Sequence, residues 1–113
     1  MSSGYNEAGL SEGTQNVHRA LASLQEELEA IDYYHQRIDR SGDEQLKAVL
    51  AHNRDEEVEH AMMILEWLRR NMPQFDTQMK LHLFSSRPIT EAEAEAKTGA
   101  AAGGDSLGLG NLK

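Results

Sequence analysis

A chain of 113 residues without cysteine, carrying 19 acids against 11 Lys and Arg for a net charge of −8, excludes several classes at once. No disulfide or thiolate metal site can stabilise it, and its acidity disfavours the phosphate backbone of nucleic acid as a partner. No apolar run approaches the roughly 20 residues that span a bilayer, and MSSGYNEAGLSEGTQ lacks a signal peptide's apolar core, so a soluble, intracellular chain without a membrane partner is expected.

Residues 1–13 read as a disordered N-terminus. The spacing then predicts a long helix over 14–40, with Val17, Ala20, Leu24, Glu27, Ile31, Tyr34 and Ile38 recurring by threes and fours, and Leu21 and Leu28 widening the stripe. RSGDEQ breaks the pattern, and Ser41 with Glu44 three residues on reads as a capping box. A second helix is predicted from near Gly42 to Asn71, where Pro73 forbids continuation. Its stripe is Leu46, Leu50, Asn53, Glu57, His60, Ile64 and Trp67, flanked by Val49, Met63 and Leu68. A further amphipathic turn or two over 74–84 and a short helix over 91–97, capped by Thr90 with Glu93, complete the predicted elements.

The short connection makes the long helices an antiparallel hairpin. Two helices cannot enclose a core, because each needs apolar cover on more than one side. The expected fold is therefore all-α, half a domain, with two hairpins docking into a four-helix bundle.

Glu27, Glu57 and His60 stand at positions that periodicity assigns to the interior, where an unpaired carboxylate costs several kcal/mol. Glu27 lies fifteen residues before Gly42 and Glu57 fifteen after it, so both sit about 22 Å from the turn. His60 is one turn further along the same face. A di-iron carboxylate bundle takes one Glu from each of two helices and Glu-x-x-His from each of the other two. One chain supplies half that set, and a two-fold dimer supplies it all. Oxygen-rich ligation with imidazole suits iron or manganese, with zinc a common substitute.

The stretches EELEAIDYYHQRID, AHNRDEEVEHA, LEWLRRN and RPIT together resemble the encapsulated ferritins, ferritin-like proteins packed inside encapsulin nanocompartments. The resemblance covers nearly all of the predicted folded part, 14–97. It implies a ferroxidase that binds two Fe(II) between subunits and oxidises them with dioxygen or peroxide. Calcium joins manganese and zinc among the possible substitutes. By the same resemblance Glu27 and His60 are terminal ligands, Glu57 bridges the irons and Tyr34 stands beside the centre. Glu26, Glu29 and Tyr33 match an outer iron-feeding site whose aromatic is typically tryptophan, so Tyr33 is a departure. A ring-shaped homodecamer built from dimers is implied as well.

His18, His35, His52 and His82 lack carboxylate partners at convincing spacing and read as surface or packing residues. Met62, Met63 and Met79 read as packing, and Trp67 as an anchor. Residues 98–113 read as a linker and a terminal peptide, GDSLGLGNLK, in which Leu107, Leu109 and Leu112 have no core to enter. The peptide resembles an encapsulin cargo-loading sequence, which implies a cytoplasmic protein held inside the shell. Two other functions fit the residues less fully. A non-catalytic acidic helical adaptor leaves the three polar interlopers unexplained, and a manganese catalase-like enzyme leaves the tail unexplained.

Overall fold

A computed structural model describes residues 4–93. Among them there are three long helical elements and no strand: α1 (Glu12–Arg40), α2 (Glu44–Asn71) and α3 (Pro73–His82). The chain divides into two units with the break between Leu68 and Arg69. The predicted all-helical hairpin is thus found, with three corrections at its ends.

α1 starts two residues earlier than the periodicity implies. The Ser11 hydroxyl accepts the Thr14 N–H at 3.2 Å, which satisfies an otherwise orphaned amide and fixes the first turn ahead of the apolar stripe. Tyr5 packs its ring 4.8 Å from that of His18 just before this start. At the other end, Ser41 is the C-cap of α1, its N–H donating to Arg37 O. The cap of α2 is Asp43, whose Oδ1 accepts the Leu46 N–H at 2.9 Å, while the Ser41 hydroxyl accepts only the Asp43 N–H. The predicted capping box therefore does not form, and α2 begins at Glu44.

Polarity complements the helix dipoles: Glu12 and Glu44 sit in first turns, and Arg37, Arg40, Arg69 and Arg70 in last turns. Pro73 ends α2 and serves as the first residue of α3. α3 is a ten-residue helix rather than a turn or two. Residues 89–93 are helical, so Thr90 lies within the first turn rather than capping it, and Glu91 N–H donates to Pro88 O. Residues 94–97 of that predicted helix fall outside the described residues.

Among the described residues of the hairpin unit, only Ala61 and Leu68 are fully buried. The α1 stripe of Val17, Leu24, Glu27, Ile31, Tyr34 and Ile38 is half-buried. Leu28, Leu46, Val49, Met63 and Trp67, on or beside the predicted inward stripes, remain exposed, as do Val58 and Met62. Each would contribute about 1 kcal/mol if its exposed half were covered. The stripe is too wide for one neighbouring helix to cover. In the second unit, Asp76 binds Arg69 Nη1 at 2.7 Å and Lys80 Nζ at 3.1 Å, tying α3 to the end of α2. No described helix is long and apolar enough to cross a membrane.

Candidate metal centre

The equal heights of Glu27 and Glu57 on the hairpin place their carboxylates together, and His60 joins them from the next turn of α2. Ligand atoms of Glu27, Glu57 and His60 all lie within 4.8 Å of one another. His60 Nδ1 is 3.3 Å from Glu57 Oε1 and 3.6 Å from Glu27 Oε1. At about 2.1 Å per bond, two donors on one ion stand at most about 4.2 Å apart, so a cation needs the group to draw in by only about half an ångström.

Electrostatics mark the cluster as short of positive charge. The neighbouring Glu57 carboxyl is the main cause that raises the Glu27 pKa; burial and the Glu57 charge add to the rise, and His60 only partly offsets them. Partial desolvation by itself lowers the His60 pKa, but the Glu57 hydrogen bond and the charges of Glu27 and Glu57 outweigh it, leaving a net rise. Glu27 Oε1 is buried and has no hydrogen-bond partner. A buried carboxylate oxygen without a donor is costly unless a cation reaches it. The donor set, two carboxylates and one imidazole without sulfur, fits iron or manganese.

The side chains of Glu27 and Glu57 are 24% and 26% exposed, but that of His60 is 45% exposed. The cluster is therefore open on the side where His60 faces out.

The other sequence-selected residues do not join it. Tyr34 is half-buried two turns beyond Glu27 on α1, with the Arg37 guanidinium 5.6 Å from its ring. The same guanidinium lies 5.9 Å from the ring of exposed Tyr33. Tyr33 donates its hydroxyl to Glu29 Oε2 at 3.0 Å, and this bond to a carboxylate is the main reason its pKa is raised. Glu26 and Glu29 are exposed on α1. Leu107, Leu109 and Leu112 lie outside the described residues.

Two histidines have partners that sequence spacing did not suggest. His52 Nε2 is 3.1 Å from Glu56 Oε2, one turn on, which corrects its reading as lacking a carboxylate. His35 Nδ1 is 3.1 Å from Arg54 Nη1 across the hairpin. Nothing in residue spacing reveals that contact, because it depends on the reach of a long side chain.

Comparison with known proteins follows the same lines. Residues 4–86 match the EncFtn-like family. An encapsulated ferritin-like protein of Rhodospirillum rubrum is 50% identical, over 92% of this chain and 82% of its own length. A ferritin-like protein of Thermotoga maritima is 52% identical, over 83% of this chain and 82% of its own. A crystal structure of a Nitrosomonas europaea protein superposes with a TM-score of 0.73 at 56% identity, covering 76% of this chain and 97% of that one. With a helical hairpin, a Glu–Glu–His cluster and a family match over most of its length, the chain belongs to the EncFtn-like family.

Proposed function

We propose that this protein is a ferroxidase whose di-iron site forms only when two chains meet. The observation that carries this reading is the buried, partnerless Glu27 Oε1 beside Glu57 and an exposed His60. A lone hairpin leaves that oxygen without a donor, and the wide apolar stripe around it without cover. Pairing two hairpins as a four-helix bundle answers both deficits, and brings four Glu and two His together.

Fe(II) is the substrate. Each chain's Glu27 and His60 bind terminally, and Glu57 bridges the two ions. The carboxylates hold four negative charges against the four positive charges of two Fe(II), so the closed interior is near neutrality. Oxidation to two Fe(III) releases two electrons, which with two protons convert dioxygen to hydrogen peroxide, or peroxide to water. Tyr34 stands on the inward face of α1, in reach of the bundle interior. Glu26 and Glu29, with Tyr33 in place of tryptophan, feed iron inward. Dimers close into a ring, a decamer by family resemblance.

An open ring has no cavity for mineral, so the product must be stored elsewhere. The terminal peptide with Leu107, Leu109 and Leu112 docks the ring inside a cytoplasmic encapsulin shell, the linker keeping it near the wall. The test is metal content followed by Fe(II) oxidation on admission of air. Rapid oxidation, with iron bound at one ion per chain, is expected; an iron-free protein that leaves Fe(II) oxidation at its uncatalysed rate would refute the reading. Removal of residues 106–113 should leave oxidation intact and abolish packaging, and co-purification of the truncated chain with the shell would refute the docking role.

A further inference from the structure

We propose that the hydrogen bond between Arg54 and His35 is the positioning contact of the metal cluster, an oblique brace that sets how far α1 can slide along α2. The inference rests on the cluster being the working site.

Arg54 Nη1 and His35 Nδ1 stand 3.1 Å apart, and an arginine can only donate, so His35 accepts through Nδ1 and carries its proton on Nε2. Arg54 Nε–H is meanwhile held by Asp55 Oδ1 at 3.1 Å. Asp55 thus fixes the guanidinium on its own helix while Nη1 reaches across to the other. The Arg54 side chain is 28% exposed, and His35 meets it at the surface of the hairpin.

The position of this contact gives it mechanical consequence. His35 is seven residues before Gly42, whereas Arg54 is twelve after it. The five-residue mismatch offsets the two backbone positions by about 7.5 Å along the hairpin, an oblique span that the two side chains cross to meet. Helical side chains lean toward the N-terminal end, which for α2 is the turn, so Arg54 leans toward His35. The Glu27–Glu57 pair is level, by contrast. For a small slide, a level contact changes length only to second order, while an oblique one changes at first order. Apolar packing between the helices is non-directional and resists sliding weakly. A binding constellation must hold to within about 0.5 Å, less than the 1.5 Å rise of one residue. The level carboxylates do not hold that tolerance themselves, because their separation hardly changes as the helices slide. The oblique bond can.

The full-length chain, titrated with Co(II) as a spectroscopic probe, tests the brace. His35→Leu removes the acceptor and is expected to weaken Co(II) binding by about tenfold or more, the scale on which partners behind metal ligands act. His35→Gln, whose amide oxygen can accept the same bond, should restore affinity to within about threefold. Recovery by Gln is the result that general destabilisation would not give. Arg54→Met should lose as much as His35→Leu, and the double variant no more than either. Wild-type affinity in His35→Leu, failure of Gln to restore it, or a double loss equal to the product of the single losses would each overturn the brace. Wild-type affinity in His60→Ala would instead overturn the reading of the cluster itself.

Discussion

Two carboxylates of similar exposure, 24% for Glu27 and 28% for Asp76, sit in opposite surroundings. Asp76, in the second unit, is held by Arg69 and then Lys80, and its pKa is lowered against a small opposing effect of burial. Glu27, in the hairpin, has Glu57 as its dominant neighbour, and its pKa is raised. Since exposure is nearly equal, neighbours decide the difference. The two regions differ in the same sense throughout. Residues 4–68 hold fourteen acids against five Lys and Arg, a net −9, while residues 69–93 hold three against four, a net +1. The second unit supplies two cations to its acid; the hairpin withholds one from an acid that needs it. That contrast is what the proposed metal site requires, an acid whose balancing charge comes from outside the chain.

The largest effect is expected from breaking the hairpin's side of the contrast. Glu57→Ala or His60→Ala removes a ligand from both halves of a shared site, so ordered di-metal binding should vanish and Fe(II) oxidation fall to the uncatalysed rate. Circular dichroism should still show the hairpin helices. Undiminished oxidation by both variants would exclude the assignment.

A smaller, more pointed effect comes from Glu27→Gln. A raised pKa means that the folded state favours the protonated form. The stabilising contribution of Glu27 is full below its ordinary value of 4.5 and is lost as pH rises through its folded value. His60 has the same sign: its contribution is full below 6.5 and is lost above its raised folded value. For both groups the metal-free hairpin is worse off as pH climbs from acid to neutral. Glu27→Gln should therefore raise the thermal midpoint of metal-free protein at neutral pH while losing the stabilisation that Fe(II) confers on the wild type. Metal binding runs the other way, because ligands must shed protons, so it should fade in mild acid. A metal-free midpoint lower in Glu27→Gln than in wild type at neutral pH would show that the ionised carboxylate is already satisfied.

The smallest effect belongs to Asp76. Its lowered pKa contributes stability above the ordinary value of 3.8, lost as pH falls through the folded value. Asp76→Asn should lower the thermal midpoint at neutral pH and converge with wild type in strong acid, with Fe(II) affinity unchanged. A change in affinity would mean that the two regions are energetically coupled.

Much of this was legible in the residues themselves. The two stripes and their equal distance from Gly42 brought Glu27, Glu57 and His60 together, because helical rise is regular enough to carry over fifteen residues. Helix ends were less legible. Ser41 and Asp43 are both able to cap, and only geometry assigns the Leu46 amide to Asp43. Ser11 caps α1 ahead of the apolar stripe, where periodicity carries no signal. Val49 and Met63 flank the inward stripe yet are 56% and 57% exposed, since periodicity marks an apolar face without saying which neighbour covers it. The Arg54–His35 contact crosses five residues of mismatch, beyond any pattern on a single helix.

The most direct measurement is the mass of intact assemblies during titration with Fe(II). Iron-bearing species should contain even numbers of chains at one iron per chain, with His60→Ala bearing none. Iron held tightly by a single chain, at the affinity of the assembled protein, would contradict a site divided between two copies.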